Sequence, residues 1–205
     1  MEITLARMKH ANLCSKDLGR SQLPERVRYA RQPTLSAFPT LKFGKHKGCS
    51  VPSLFFRDLD YFRYLHSPDF RHKPDEHSQK IWKQLHKIWH LASNIRLPPE
   101  SRSGEFVVIE SRAGNLSRIV IASRNVDPKL RRGEGIVLRT QILNVWELAD
   151  FPDQDLSERR LLRSLKTILF PERCDEPSYM DCQNFFACKT AFKAPAWAKL
   201  DRNGN

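Results

Sequence analysis

The chain has 205 residues, 40% of them hydrophobic and 28% charged, a composition that suits one globular domain with appendages and excludes a fibrous or wholly disordered chain. Its formal net charge of +12 makes polyanions the natural partners. Nucleic acid comes first, with an acidic membrane surface or an acidic protein left open. No apolar run approaches a membrane span, and Met1-Glu2-Ile3-Thr4 has no apolar signal core, so a cytoplasmic protein without membrane insertion is expected.

Residues 1–34 read as a basic, loosely ordered arm. Arg20, Arg26, Arg28 and Arg31 are scattered among prolines, with little hydrophobic periodicity. The folded core is expected over residues 35–170. It opens with Leu41-Lys42-Phe43-Gly44-Lys45-His46-Lys47-Gly48, in which Leu41 and Phe43 read as a short strand entering a turn. Two glycines enclose three cationic or titratable side chains. Such a turn can offer a phosphate both backbone N–H groups and ammonium groups; it can equally be a tight turn with solvated lysines.

Ser50 or Ser53 can cap a short helical turn, and Asp58 a second helix with Tyr61, Phe62 and Leu65 on one face. The aromatic residues of this stretch fit core packing better than base stacking, because their spacing is helical. Residues 75–93 form an amphipathic helix capped by Asp75. Ile81, Trp82, Leu85, Ile88, Trp89 and Ala92 share its apolar face, and Lys80, Lys83 and Lys87 the other. His86 and His90, at i and i+4, have the spacing of a shared metal site but no third ligand in sequence.

After a polar connector from Asn94 to Gly104, residues 105–110 and 116–121 flank Arg112-Ala113-Gly114-Asn115 as a hairpin. Residues 136–146 read as a third strand, reached through a cationic, glycine-containing loop with Arg131 and Arg132. A second basic helix spans residues 156–169, with Arg159, Arg160, Arg163 and Lys166 outward. Residues 171–205 form a tail with Cys174, Cys182 and Cys188. It is too apolar to be simply disordered, and it either packs on the core or forms a docking surface. The cysteine count of five is odd and the spacing matches no common zinc pattern, so free thiols are expected. The fold class expected is α+β, a small mixed sheet with two amphipathic basic helices.

Phe43-Gly44-Lys45-His46-Lys47-Gly48, followed about a dozen residues later by Asp58-Leu59-Asp60-Tyr61-Phe62, resembles a pattern found in small plasmid and bacterial proteins. A shorter version occurs in the C-terminal module of exonuclease X-type nucleases. With the basic helix, Asn94-Ile95-Arg96-Leu97-Pro98, the hairpin and a strand containing Arg139, the order resembles the plasmid fertility-inhibition proteins of the Osa and FiwA type, over roughly residues 35–146. The resemblance implies a compact ParB/sulfiredoxin-like core and inhibition of conjugative DNA transfer at the coupling protein of a type IV secretion channel. It also implies nucleotide hydrolysis and DNA cleavage, with Mg²⁺ and ATP as cofactors. The sulfiredoxin Gly-Cys-His-Arg signature is absent, which argues against peroxiredoxin repair, and the ParB Gly-x-x-Arg motif has only a loose echo at Gly133-Glu134-Gly135.

Two mechanisms follow. As a DNase or ATPase, the chain would hold phosphate with Gly44, Lys45, Lys47 and Gly48, aided by Lys83, Lys87, Arg131 and Arg132. Arg139 would steady developing charge, His46 would move a proton, and Lys45 and Glu110 would complete the catalytic set. Asp58 and Asp60 would hold Mg²⁺, although both also fit as helix caps. As a non-catalytic inhibitor or DNA-binding accessory, it would use its basic helix faces and aromatic tail to dock on DNA or on the coupling protein.

Overall fold

In the computed structural model of the chain, residues 38–71, 75–151, 154–173 and 176–194 are described. The expected N-terminal arm lies outside them, as does the end of the tail. The described residues form seven helices and two antiparallel sheets, so the α+β class holds, with the expected mixed sheet replaced by antiparallel pairing throughout.

Each early helix starts where the sequence supplies a cap. Ser50 accepts the Ser53 N–H at the start of α1 (Val51–Phe55), and Asp58 accepts the Tyr61 N–H at the start of α2 (Leu59–His66). After α3 (Pro68–Arg71), Asp75 accepts the Ser78 N–H to open α4 (Glu76–Ala92), the first expected basic helix. Ile81, Leu85, Ile88 and Ala92 are fully buried on its inner face, whereas Trp82 and Trp89 lie half-buried on its flank.

Strand β2 (Gly104–Ser111) is central between β3 (Leu116–Ser123) and β4 (Glu134–Thr140). The expected third strand over 136–146 is three things. β4 ends at Thr140, and β5 (Ile142–Leu143) pairs instead with β1 (Ile95–Arg96) in a separate sheet. The chain turns between them because the Thr140 hydroxyl bonds both the C=O and the N–H of Ile142. Asn144 then accepts the Trp146 N–H and opens α5 (Val145–Ala149).

Helix α6 (Gln154–Leu169), the second expected basic helix, lies against β3 with Leu161 and Leu165 fully buried. It also covers the open edge of that strand. The buried Ser157 and Ser164 hydroxyls accept the N–H groups of Leu116 and Ile119 at 3.3 and 3.0 Å. Arg160, expected to face solvent, donates to the Leu116 C=O. Edge groups that would otherwise recruit another strand are thus satisfied from within.

The tail's described part packs back on the core. Helix α7 (Tyr179–Ala187) brings Phe185 and Phe186 into an aromatic cluster centred on Phe55. Phe55 meets Phe56, Phe62, Trp146 and Phe186 edge-to-face, with interplanar angles of 85–88°. This cluster fixes α1, α2, α5 and α7 to one another, and α2 carries half of the candidate site. Cys49, Cys182 and Cys188 are free thiols. Burial pushes the Cys182 thiol up to about 12, so it stays protonated.

Candidate functional site

The glycine turn closes on itself first. Leu41 N–H donates to the Cys49 C=O, and Gly48 N–H donates back to the Leu41 C=O. The expected strand at Leu41 and Phe43 is reduced to a single bridge between Thr40 and Ser50. Inside the turn, Lys47 N–H donates to the Gly44 C=O and Cys49 N–H to the His46 C=O. The amides of Lys47, Gly48 and Cys49 therefore already have partners. Those three amides are not available to an anion at the turn, whereas the side chains of Lys45 and Lys47 are exposed there.

The turn then closes on α2, and the two halves of the sequence motif meet. Lys45 Nζ and His46 Nε2 each lie 2.7 Å from Asp58 Oδ2, while Asp58 Oδ1 accepts the Tyr61 N–H at 2.8 Å. Burial opposes ionisation of Asp58, but the hydrogen bonds from Lys45, His46 and the Tyr61 amide outweigh it and hold the carboxyl below its ordinary value. An ionised carboxylate only accepts, so His46 Nε2 carries its proton toward Asp58. The Asp58 hydrogen bond, against some desolvation, raises the Lys45 ammonium in turn.

Tyr61 seals the arrangement. Its ring lies 5.1 Å from Lys45 Nζ and meets His46 edge-on at 5.2 Å. Gly44 is required twice over. Its φ is +72°, and a Cβ there would overlap the Tyr61 hydroxyl. What remains outward is cationic and aromatic: Lys45 is 60% exposed, Lys47 is exposed, and Tyr64, stacked on Tyr61, is 63% exposed.

Asp60 is exposed on the first turn of α2, where its neighbour is Glu158 of α6. The Glu158 carboxylate accepts the Leu59 N–H at 2.8 Å. Burial, then the charges of Asp60 and Asp58, push Glu158 up to about 7 in spite of that bond. Asp58 does not fit the expected Mg²⁺ ion, and Asp60 alone makes no metal site. One Asp58 oxygen caps the helix and the other already faces two cationic donors, whereas Mg²⁺ needs free oxygen ligands in an octahedron. Among the described residues, no group of three or more His, Cys, Asp or Glu is placed to hold a metal ion.

The four expected catalytic residues divide between two places. Lys45 and His46 are at the start of α2. Arg139 is on β4, opposite Val107 of β2, where it pairs with Glu105 at 2.6 Å and with Asp127 of the β3–β4 loop. Glu110 is farther along the same ladder, half-buried opposite Gly135. The α6 helix that touches α2 packs on β3, and β4 stands two strands beyond, about 10 Å. Of the remaining expected phosphate contacts, Lys83 and Lys87 are exposed on α4, and Arg131 and Arg132 on the β3–β4 loop.

Tyr61, read in the sequence only as part of a helix face, and Glu158 are the residues that sequence reasoning did not assign to the site. Tyr61 had a signal, since it sits one turn after the capping Asp58. Glu158 reaches Leu59 across 99 positions and had none. No helix among the described residues is long and apolar enough to cross a membrane. No family model, no curated protein and no solved structure matches this chain, so its residues and their geometry carry the functional reading.

Proposed function

We propose that this chain is a fertility-inhibition protein that binds nucleic acid and limits conjugative DNA transfer by occupancy, either of the DNA or of the coupling protein that feeds it to a type IV secretion channel. The observation that carries this is the Lys45–Asp58–His46 junction. It fixes both parts of the motif into one rigid unit and leaves a cationic, aromatic outer surface. Lys45 and Lys47 would meet phosphates, and the formal charge of +12 would draw the polyanion in.

One observation favours a second reading, nicking of DNA or hydrolysis of ATP as the resemblance implies. His46 is oriented by an ionised carboxylate at 2.7 Å, as a general base is oriented. In that case His46 would move the proton, without a metal on Asp58.

Supercoiled plasmid incubated with the protein, in Mg²⁺ or in chelator, separates the two. The expected result is a salt-sensitive mobility shift with no change of topology, weakened in a Lys45→Ala/Lys47→Ala variant and with a shallower salt slope. Nicking that disappears in His46→Ala would replace occupancy with catalysis. Binding unchanged in the lysine variant would remove the turn from the interface.

A further inference from the structure

The flank of α4 opposite Trp82, His86 and Trp89 carries Gln84, Lys87 and Leu91 at i, i+3 and i+7, a stripe about 10.5 Å long. A groove of about 360 Å³ is lined by this stripe on one side. Its second wall comes from residues 186–194, the end of α7 and the segment after it. That wall is anchored to the small sheet. Phe192 pairs with Ile95 of β1 in an antiparallel bridge, and the Lys193 N–H donates to the Asn94 C=O at 2.9 Å. Phe38, Phe186 and Phe192 form the buried floor, and half-buried Leu91 and Ala187 continue the apolar surface up the walls. Both walls are held by the core, so the groove is formed before anything enters it.

The rim is cationic and lacks counter-charge. Lys87 is exposed on the α4 wall, and Lys189 and Lys193 are exposed on the other. No aspartate or glutamate is among the described residues that line the groove. The lysines that form ion pairs among the described residues are Lys45, with Asp58, and Lys80, with Glu76. Three ammonium groups over an apolar floor are therefore left for an occupant that is both acidic and apolar. Gln84 adds an acceptor. Its side-chain oxygen is shut off from solvent and has no hydrogen-bond partner among the described residues, a state that buried polar atoms rarely keep. A turn of this long side chain would offer that oxygen to an N–H in the groove.

We propose that this groove docks an acidic peptide segment of a protein partner, with an aliphatic side chain on the phenylalanine floor and carboxylates on Lys87, Lys189 and Lys193. This goes beyond the nucleic-acid reading and does not depend on it. Three features select the occupant. A fatty acid carries one carboxylate at one end, whereas the cations here stand on both walls. A nucleobase needs an open ring face, and the floor offers none. Phe192 lies against Phe186 at 5.8 Å and 11° and against Phe185 at 5.0 Å, and Phe38 is 7% exposed. A peptide spans the stripe with about three extended residues, brings N–H groups for Gln84, and places an apolar side chain between acids.

Fluorescence anisotropy reads this directly. The full chain is titrated against a short labelled peptide of glutamates around a central Leu-Leu pair, with no nucleic acid present. The expected result is saturable binding, weakened about tenfold or more when serines replace both leucines. Lys189→Glu/Lys193→Glu should weaken it by about tenfold or more as well. Arg102→Glu/Arg124→Glu removes the same charge outside the groove and should leave affinity within about threefold of native. All four side chains are exposed, so both variants should keep the native far-ultraviolet spectrum. No binding of the leucine peptide, or equal binding of the serine peptide, would overturn the groove as an apolar dock. Equal losses in the two charge variants would reduce the attraction to net charge and overturn it too. Displacement of the peptide by a short oligothymidylate would assign the groove to nucleic acid instead.

Discussion

Two regions hold the charged residues that the sequence singles out, and they are built differently. At the junction of the turn and α2, Asp58 is 17% exposed and receives Lys45, His46 and a helix amide at once. On the outer face of the sheet, Arg139 bridges Glu105 and Asp127, and Asp127 is 80% exposed. Both are ion-pair clusters. In the first, the charges are tied to backbone geometry, because the carboxylate that pairs also caps the helix and the turn that delivers the lysine needs left-handed glycines. In the second, the charges decorate a sheet whose register is already set by its ladder. A charge cluster can therefore be a structural joint or a surface ornament, and only its link to the backbone tells which.

Breaking the joint at its tightest point should have the largest effect. Gly44→Ala places a β-carbon against the Tyr61 hydroxyl at φ +72°, so a loss of about 3 kcal/mol in unfolding free energy is expected. Gly48→Ala has φ +86° but open space around it, and should cost about 1 kcal/mol. Adding Tyr61→Phe to Gly44→Ala should recover part of the larger loss by removing the hydroxyl. Equal denaturant midpoints for the two alanine variants would show that backbone strain alone, not the Tyr61 contact, makes Gly44 necessary.

Much of the joint was legible in the sequence, and the reason is physical. Gly44, Gly48 and Asp58 announce themselves because positive φ and helix capping are local demands that few residue types satisfy. The helices over Glu76–Ala92 and Gln154–Leu169 were legible from periodicity, as was the hairpin of β2 and β3. What could not be read is non-local. The i, i+4 spacing of His86 and His90 suggests a shared metal, but the third imidazole comes from His66, twenty positions away, and makes a stack. Ser157 and Ser164 look like polar interruptions of a helix until β3 lies against them. The run 136–146 alternates well enough for one strand. Only the Thr140 turn and the Asn144 cap divide it between two sheets and a helix.

A second test sharpens the joint through its pH dependence. Glu158 is raised from 4.5 to about 7, so between those values the folded protein keeps a proton that the unfolded chain has released. Stability should then fall as pH rises through that window. His66 works the other way. Burial, with His86 and His90, lowers it from 6.5 to about 4, so there the unfolded chain holds the extra proton and stability rises with pH. The two slopes oppose each other in the native protein. Glu158→Gln cannot titrate and can still accept the Leu59 N–H, so it should unmask the rising slope. Full linkage at Glu158 would be about 3 kcal/mol; with the side chain half exposed, a difference of about 1 kcal/mol between pH 4.5 and pH 7.5 is expected after solvent screening. Parallel stability curves for the variant and the native protein would show that Glu158 ionises normally.

The smallest effect should come from the other region. Asp127→Ala removes the exposed partner of Arg139 and leaves Glu105 in place at 2.6 Å. An exposed pair is screened by water and salt and must hold two side chains in one geometry, so its net contribution is small. The melting temperature should shift less than in any variant above, and the shift should shrink further as salt is raised. Plasmid binding should not change, since Asp127 pairs with Arg139 of β4, two strands beyond the β3 on which α6 packs. A large, salt-resistant loss would mean that the β3–β4 loop is clamped to the sheet by this pair. The outer face would then be a second structural joint, and Arg139 a residue that orders a loop as well as decorating a strand.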